Sequence, residues 1–428
     1  MHAIGVILLS LSLLSVGLYQ RNARNDWLSP SRFWALVCFI MVSIPLLFIS
    51  FSKVSVLAIA WILLSATCIY SGAATARYSG NNCQKITPED CRFPGLGVLI
   101  IFGSSVGLGA LFVQFHMLGH SPIEVFFTAK IFTIMQEIQP LHIQNKIPSI
   151  VSGMTGGVYL AAMLGGFYYV AYEKTSLRYL AFLPFVPAIS IAYCVTTKLS
   201  FLFPVLFWVG SYLAAKVYFR RVITTKTLLW FMAVCVGICL LLALLILARW
   251  KSWSPAASGI PFDGLIGFRN YTLTLVIGHI VAFSHWFPTY IQSISEGYGW
   301  GRYTFAGIFN FLGYSVRTPA ESVVLFPGPY NLSNVYTVFR PLILDFGLFG
   351  SLLVFYLAGF LGEYSYSRLK MGQLRWMPVL SIFYWVTMWN FNSSIFNYNS
   401  ILLASFIFFG YFYTLPYIKK SLPIKEKR

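Results

Sequence analysis

The chain has 428 residues, of which 58% are hydrophobic and only 10% charged, against about 25% charged in a soluble domain. Its 30 Lys and Arg outnumber 12 Asp and Glu, for a formal charge of +18. That excess falls mostly in short loops between apolar runs, which is the positive-inside pattern of a membrane protein and not the footprint of a nucleic-acid binder.

Apolar runs long enough to cross a bilayer recur along the chain, so the sequence predicts an all-α polytopic integral membrane protein. Residues 2–19 form the first span, with the N-terminus outside, because a basic start and a small-residue cleavage site are both missing. Arg21, Arg24 and Arg32 place the following loop inside. Spans over 33–51 and 54–72 make a hairpin turning at Lys53, and Arg77, Lys85 and Arg92 return the chain to the inside. The span at 95–115 carries Gly97, Gly103, Gly107 and Gly109, which predict close helix contacts. Residues 116–148 are mixed and external, with 125–132 lying along the interface.

Spans at 149–172, 179–195 and 199–219 follow, with Lys198 at an external turn between the last two and Lys216, Arg220, Arg221 and Lys226 inside. A further span covers 228–248. Residues 341–362 cross inward, and 376–391 and 400–417 make a final hairpin with Asn390, Asn392, Asn397 and Asn399 at its outer turn. These asparagines suit either helix caps or sugar hydroxyls. The count is about eleven spans, within a range of about 10–12. It divides the chain into an N-terminal bundle (1–249), a long external loop (250–338) and a C-terminal bundle (339–428) with a basic cytoplasmic tail.

The cysteines give no framework. Most lie inside apolar runs as small core residues, and Cys83 and Cys91 share a loop placed inside, where a disulfide does not persist. No histidine accompanies those two at zinc-site spacing, and although His116 and His120 are four residues apart, Gly119 and Pro122 oppose a regular helix there, so a metal site is not expected.

The long loop is where chemistry is expected. A connection of this length usually carries function. It holds Arg269, His279, His285, Glu296, Arg302 and Arg317 among many aromatic residues, and 271–287 reads as an amphipathic or re-entrant helix. Aromatic faces stack on sugar rings, and arginines grip phosphates bidentately. The loop ends in the densest polar cluster of the chain: Asn334, Tyr336, Thr337, Arg340 and Asp345, running into an apolar span with Pro341 at its start and Gly347 and Gly350 just beyond. An acid at the mouth of a membrane helix is costly unless paired or wet. The stretch is either a capped, tightly packed helix start or the rim of a site for a polar substrate.

A Gly-rich phosphate loop, HExxH, GxSxG and Asp-x-Asp are all missing from the sequence. Sugar transfer through metal-binding paired acids is therefore not expected. Chemistry would fall to arginines or lysines as stabilisers and a lone His, Glu or Asp as base.

Four segments together carry a resemblance: Asp26, Trp27, Leu28, Ser29 and Pro30 before the second span; Thr196, Thr197, Lys198, Leu199, Ser200 and Phe201 between central spans; Gly278, His279, Ile280, Val281, Ala282 and Phe283 early in the loop; and Asn334, Val335, Tyr336 and Thr337 leading through Arg340 to Asp345, Phe346 and Gly347. The last is the most specific. The chain resembles the bacterial oligosaccharide repeat-unit polymerases, the Wzy-type O-antigen polymerases. It departs from them at Lys198, where relatives often carry an arginine, so a bidentate phosphate contact is lost there. The resemblance implies a GT-C-like fold in the bacterial inner membrane and a periplasmic long loop. It implies transfer of oligosaccharide from an undecaprenyl-diphosphate carrier without metal or other cofactor, with a chain-length regulator and a flippase as pathway partners.

In that reading Arg340, Lys198 and one or more of Arg269, Arg302 and Arg317 hold the diphosphate. His279 is the base, with Asp345 and Glu296 as rivals, and Asn334, Tyr336 and Thr337 shape the loop or touch sugar. An O-antigen ligase and a non-enzymatic glycolipid flippase are the competing classes. Spans nearly free of charge argue against the flippase.

Overall fold

The computed structural model describes residues 2–19, 27–50, 53–77, 93, 95–121, 149–195, 198–221, 262–293, 298–314, 316, 323–324, 332–333, 337–392 and 394–421. The described chain is helical apart from one two-residue antiparallel pair, β1 (Val323–Val324) with β2 (Leu332–Ser333). The helices are α1 (His2–Tyr19), α2 (Pro30–Leu46), α3 (Val56–Arg77), α4 (Leu96–Met117), α5 (Ser149–Ala171), α6 (Phe185–Val195), α7 (Lys198–Tyr218), α8 (Phe262–Gln292), α9 (Ala306–Phe311), α10 (Phe339–Lys370), α11 (Met377–Trp389) and α12 (Asn399–Ser421). Six described segments are long and apolar enough to cross a membrane: Val56–Arg77, Leu96–Met117, Ile150–Ala171, Ser176–Tyr193, Leu199–Tyr218 and Phe339–Lys370. Shorter apolar stretches lie at Ala3–Val16, Pro30–Leu46 and Asn399–Leu415.

The helices group into two compact units, each assembled from several stretches of chain. The first comprises Met1–Ser79, Ile246–Tyr364 and Val386–Tyr398. Here α1 packs on α2 and α3, and α8 packs on the same pair. An aromatic column joins these helices to α10: Trp61 on Phe287, Phe287 on Phe283, Phe283 on Phe339, Phe339 on Phe355 and Phe355 on Trp34, all at centroid separations of 5.2–5.6 Å. Helices α3 and α10 cross with their backbones touching. A Cβ added to Gly72 would strike the Tyr356 carbonyl, and one added to Gly359 the Ile69 carbonyl. Without a hydrophobic force between helices in lipid, this close approach is what holds them.

The second unit comprises Gly80–Leu245, Ser365–Trp385 and Asn399–Arg428. In it α5 is the central helix, packed by α4, α7 and α12. The expected close contacts of the 95–115 glycines are present. Gly103 faces Gly157 backbone to backbone, and Gly107 and Gly109 receive Val158 and Met154. The basic cluster after α7 has defined partners: Arg221 pairs with Glu173, and the Arg220 guanidinium donates to the Lys370 carbonyl at the end of α10. A cation at a helix C-terminus is the favourable placement for the helix dipole.

The span expected at 179–195 coincides with the apolar segment Ser176–Tyr193, long enough to cross a membrane, which opens as a 3-10 turn, Ser176–Phe182, before the shorter α6. The helix expected over 271–287 is longer than that: α8 has 31 residues, about 46 Å at 1.5 Å per residue. His279 and Thr274 lower its apolarity, yet both are buried within the first unit. Polarity inside a bundle and polarity facing water look alike in sequence.

Candidate functional site

The first unit has two recognisable ends. At the lower end lie Ser29, Arg77 and Glu363, which hydrogen-bond to one another. At the upper end α2 stops, α3 begins, α8 finishes and α10 turns at Gly347, its head lying back along the later turns so that Phe339 is 5.4 Å from Phe355. The site is built there from three segments: 298–316, the start of α10 and residues 390–398.

Helix α10 is interrupted at Gly347, whose φ of 67° and ψ of −175° are non-helical. The left-handed φ suits glycine, and a side chain would also strike the ring of Tyr298. A break of this kind removes the i+4 donors of the preceding turn. The carbonyls of Leu344 and Asp345 accept from the N–H groups of Gly299 and Trp300, at 3.0 and 3.1 Å. The Asp345 carboxylate completes the junction. It accepts from Tyr303 N–H at 3.0 and 3.1 Å and from Thr304 N–H at 2.5 Å. Gly299 is needed here too, because a Cβ would fall on Asp345 Oδ1. Asp345 is fully buried, and among the described residues no cation lies within ion-pair reach of it. Its charge is met by backbone amides, an arrangement that satisfies a carboxylate well.

The segment held this way turns at Trp300 and Gly301, with φ of 53° and 89°, and Arg302 N–H closes on the Gly299 carbonyl. Positive φ at both central positions is the type I′ pattern. For a tryptophan that conformation stores about 1–3 kcal/mol of strain. The turn is tied again on its far side: Ser394 Oγ donates to the Thr304 carbonyl, and Phe305 packs on Phe396.

Arg340 lies in the first turn of α10, five residues before Asp345. It is 1% exposed, with its guanidinium 5.3 Å from the centre of the Trp286 ring. A desolvated contact of this type contributes about 2 kcal/mol. Thr337 precedes it and is fully buried. The intervening Val338 donates its N–H to the Asn390 carbonyl at 2.8 Å. Asn390 in turn reaches Cys38 Sγ, and its neighbour Phe391 packs on the ring of His279 at 5.6 Å. His279 Nε2 is 3.4 Å from the Met41 carbonyl. A carbonyl only accepts, so this contact places the proton on Nε2 and leaves Nδ1 as the basic nitrogen. Tyr398, at the end of the same segment, has its phenol pushed up to about 12 by burial.

Residues 390–396 therefore link His279, the Thr337–Arg340 turn and the turn held by Asp345, which carries Arg302. Arg302 is the exposed one. Two other expected residues are placed by backbone alone. Lys198 opens α7 in the second unit. Arg269 is on α8, ten residues before His279, about 15 Å along the axis. Glu296, Arg317, Asn334 and Tyr336 lie outside the described residues, as do Cys83 and Cys91. Three residues gain weight from the fold. Thr304 Oγ1, Thr337 Oγ1 and Asn390 Oδ1 are buried and have no hydrogen-bond partner among the described residues. Buried polar atoms without protein partners are costly and mark places where water or a ligand completes the bonding. Nothing in sequence singles out Thr304, because its site is made by folding. Among the described residues no three His, Cys, Asp or Glu side chains converge as a metal site would require.

The arrangement can hold a polar, hydroxyl-rich or anionic group against a buried guanidinium, with the His279 imidazole two turns before Trp286 on α8. No protein family, curated protein or solved structure matches this chain.

Proposed function

We propose that this chain is a metal-independent glycosyltransferase of the bacterial inner membrane. It would polymerise undecaprenyl-diphosphate-linked oligosaccharide repeat units into O-antigen or a related surface polysaccharide. The observation that carries this reading is the set of unpartnered buried polar atoms of Thr304, Thr337 and Asn390, joined through residues 390–394, which also touch His279. A polyhydroxylated ligand supplies the partners these atoms lack, and the arginine suits its diphosphate. The motif block from Asn334 to Gly347, on which the family resemblance rests, runs into this end of the fold.

Under this reading the chain has about eleven spans in a GT-C-like arrangement. The upper end faces the periplasm and the C-terminus the cytosol, as the Lys and Arg bias of the short loops requires. In the reaction the acceptor hydroxyl oxygen attacks the anomeric carbon of the donor sugar. The bond from that carbon to the diphosphate oxygen breaks, and His279 Nδ1 takes the hydroxyl proton. Arg340 holds the departing diphosphate, whose charge grows as the bond breaks, and exposed Arg302 meets it from the loop. Asp345 fixes the turn that carries Arg302 and Thr304. Helices in lipid let the carrier approach from the side, and membrane lipid is the medium of the exchange.

The test is polymerisation by purified protein given a lipid-linked repeat unit, read as a ladder on a gel. A ladder supports the reading, and Arg340→Ala should abolish it. Full ladder formation by that variant would remove Arg340 from the site. A deletion strain separates the competing enzyme. Loss of a polymerase leaves lipopolysaccharide core bearing one repeat unit, whereas loss of a ligase leaves bare core.

A further inference from the structure

We propose that the 298–314 segment is a membrane-docking element, its outward face resting in the headgroup layer of the leaflet at the upper end. The face is large and apolar: Trp300 is 76% and Phe311 80% exposed, with Leu312 and Tyr314 more than half exposed beside them. Soluble surfaces seldom leave such a patch uncovered. The bilayer is its occupant because the face continues a lipid-facing one. Phe349, Leu353, Leu357 and Leu361 are exposed at i+4 spacing along α10, a segment apolar enough to cross the membrane. The Tyr298 ring rests on Gly347, two residues before that stripe starts. The turn therefore sits at the mouth of the lipid-exposed face of α10.

Its composition fits the depth. Tryptophan and tyrosine concentrate at the level of lipid headgroups, and exposed Arg302 can extend to lipid phosphate while its stem stays in the apolar layer. The backbone points the same way. Trp300 is held at a φ of 53°, a conformation a bulky residue keeps only where its surroundings enforce it. Here the enforcing bond is Trp300 N–H to the Asp345 carbonyl, and its result is an indole turned outward. The inference rests on α10 crossing the bilayer and not on sugar transfer, so either can fail alone.

The experiment uses the full chain in vesicles of phosphatidylethanolamine and phosphatidylglycerol, with a photoreactive benzoyl-phenylalanine replacing Phe311, Tyr314 or, as the lipid-facing standard, Phe349. After irradiation, mass spectrometry measures lipid adducts and gel electrophoresis measures protein adducts. Lipid adducts at 311 and 314 within about threefold of the yield at 349 are expected for an interfacial face. A yield below that range, with 349 still labelled, means the face is in water and overturns the proposal. Cross-links to a second protein chain overturn it as well, by assigning the face to a protein partner. Phe311 is almost fully exposed, so its replacement leaves the fold intact, and the 314 variant reads the same face independently.

Discussion

Helix α10 carries one buried carboxylate near each end of its run through the first unit, and the two are satisfied in opposite ways. Glu363 meets side chains: Arg77 Nε at 3.0 Å and Ser29 Oγ at 3.2 Å, with Arg77 reaching Ser29 and Ser31 as well. Asp345 meets backbone amides of a turn and no described cation. The lower arrangement joins α2, α3 and α10 into a bundle. The upper one holds a strained turn against the head of α10 and beside Arg340. Charge used between helices stabilises; charge used to shape a loop positions other groups. Substitutions at the two ends should therefore fail differently.

The largest effect is expected at Arg340. Arg340→Ala should lower polymer formation by about 100- to 1000-fold, the range for removing one fixed stabiliser of developing charge. Loss of the contact with Trp286 should also cost about 2 kcal/mol of stability, so activity is measured per folded molecule. Arg340→Lys keeps the charge but loses the planar fork and the stacking on Trp286, so it should recover only part of the activity. Equal losses of activity and stability in both variants would make Arg340 a bundle residue like Arg77.

Asp345 comes next. Asp345→Ala leaves the buried Thr304 amide and the half-buried Tyr303 amide without their acceptor, at a cost of about 3 kcal/mol. Asp345→Asn keeps one carbonyl oxygen and should cost about half that. The readouts are thermal unfolding and the rate of tryptic cleavage at Arg302, which should rise as the turn loosens. Unchanged cleavage would show that the backbone bonds from Gly299 and Trp300 hold the turn without the carboxylate.

Much of the bundle was legible from apolar run length. The helices at 30–46, 56–77, 96–117, 149–171 and 198–218 fall within a few residues of the runs that predict them, because bilayer thickness dictates both. The glycines of α4 also showed their role, since small residues are what close helix crossings require. The site was legible only where a side chain carried the signal. Arg340, Asp345 and Thr337 stand out in an apolar stretch. The partners of Asp345 do not, because any residue supplies a backbone N–H, and the amides of Tyr303 and Thr304 are chosen by the fold. Arg77 reads in sequence only as a loop charge, because its partner Glu363, 286 positions away, becomes visible only once α3 and α10 cross. Helix α8 was half seen for a related reason: His279 breaks the apolar run in sequence but is turned inward in the bundle.

At the lower end, Arg77→Ala should leave Glu363 buried without its cation. A fully buried pair broken this way costs about 3–5 kcal/mol. The Arg77 side chain is 37% exposed, so water recovers part of that and about 2 kcal/mol is expected. Activity per folded molecule should be unchanged. Joint replacement, Arg77→Met with Glu363→Met, removes both charges and should restore most of the stability, which a double-mutant cycle measures. A variant that melts normally but no longer polymerises would mean that the lower network also serves the reaction.

The smallest effect separates the kink from the charges around it. Gly347→Ala changes no charge and removes no hydrogen-bonding group, yet it puts a Cβ at a φ of 67° and against the Tyr298 ring. The left-handed conformation alone costs about 1–2 kcal/mol. The head of α10 can relieve part of that cost by shifting slightly at the kink, which would loosen the Leu344 and Asp345 carbonyls from the turn. Thermal unfolding should therefore show a modest loss, accompanied by faster tryptic cleavage at Arg302 as in Asp345→Asn. If stability falls but cleavage does not change, the kink is only a local strain. If both change together, the break in α10 is what allows its upper carboxylate to hold a loop, while the unbroken lower part of the helix keeps Glu363 for its neighbours.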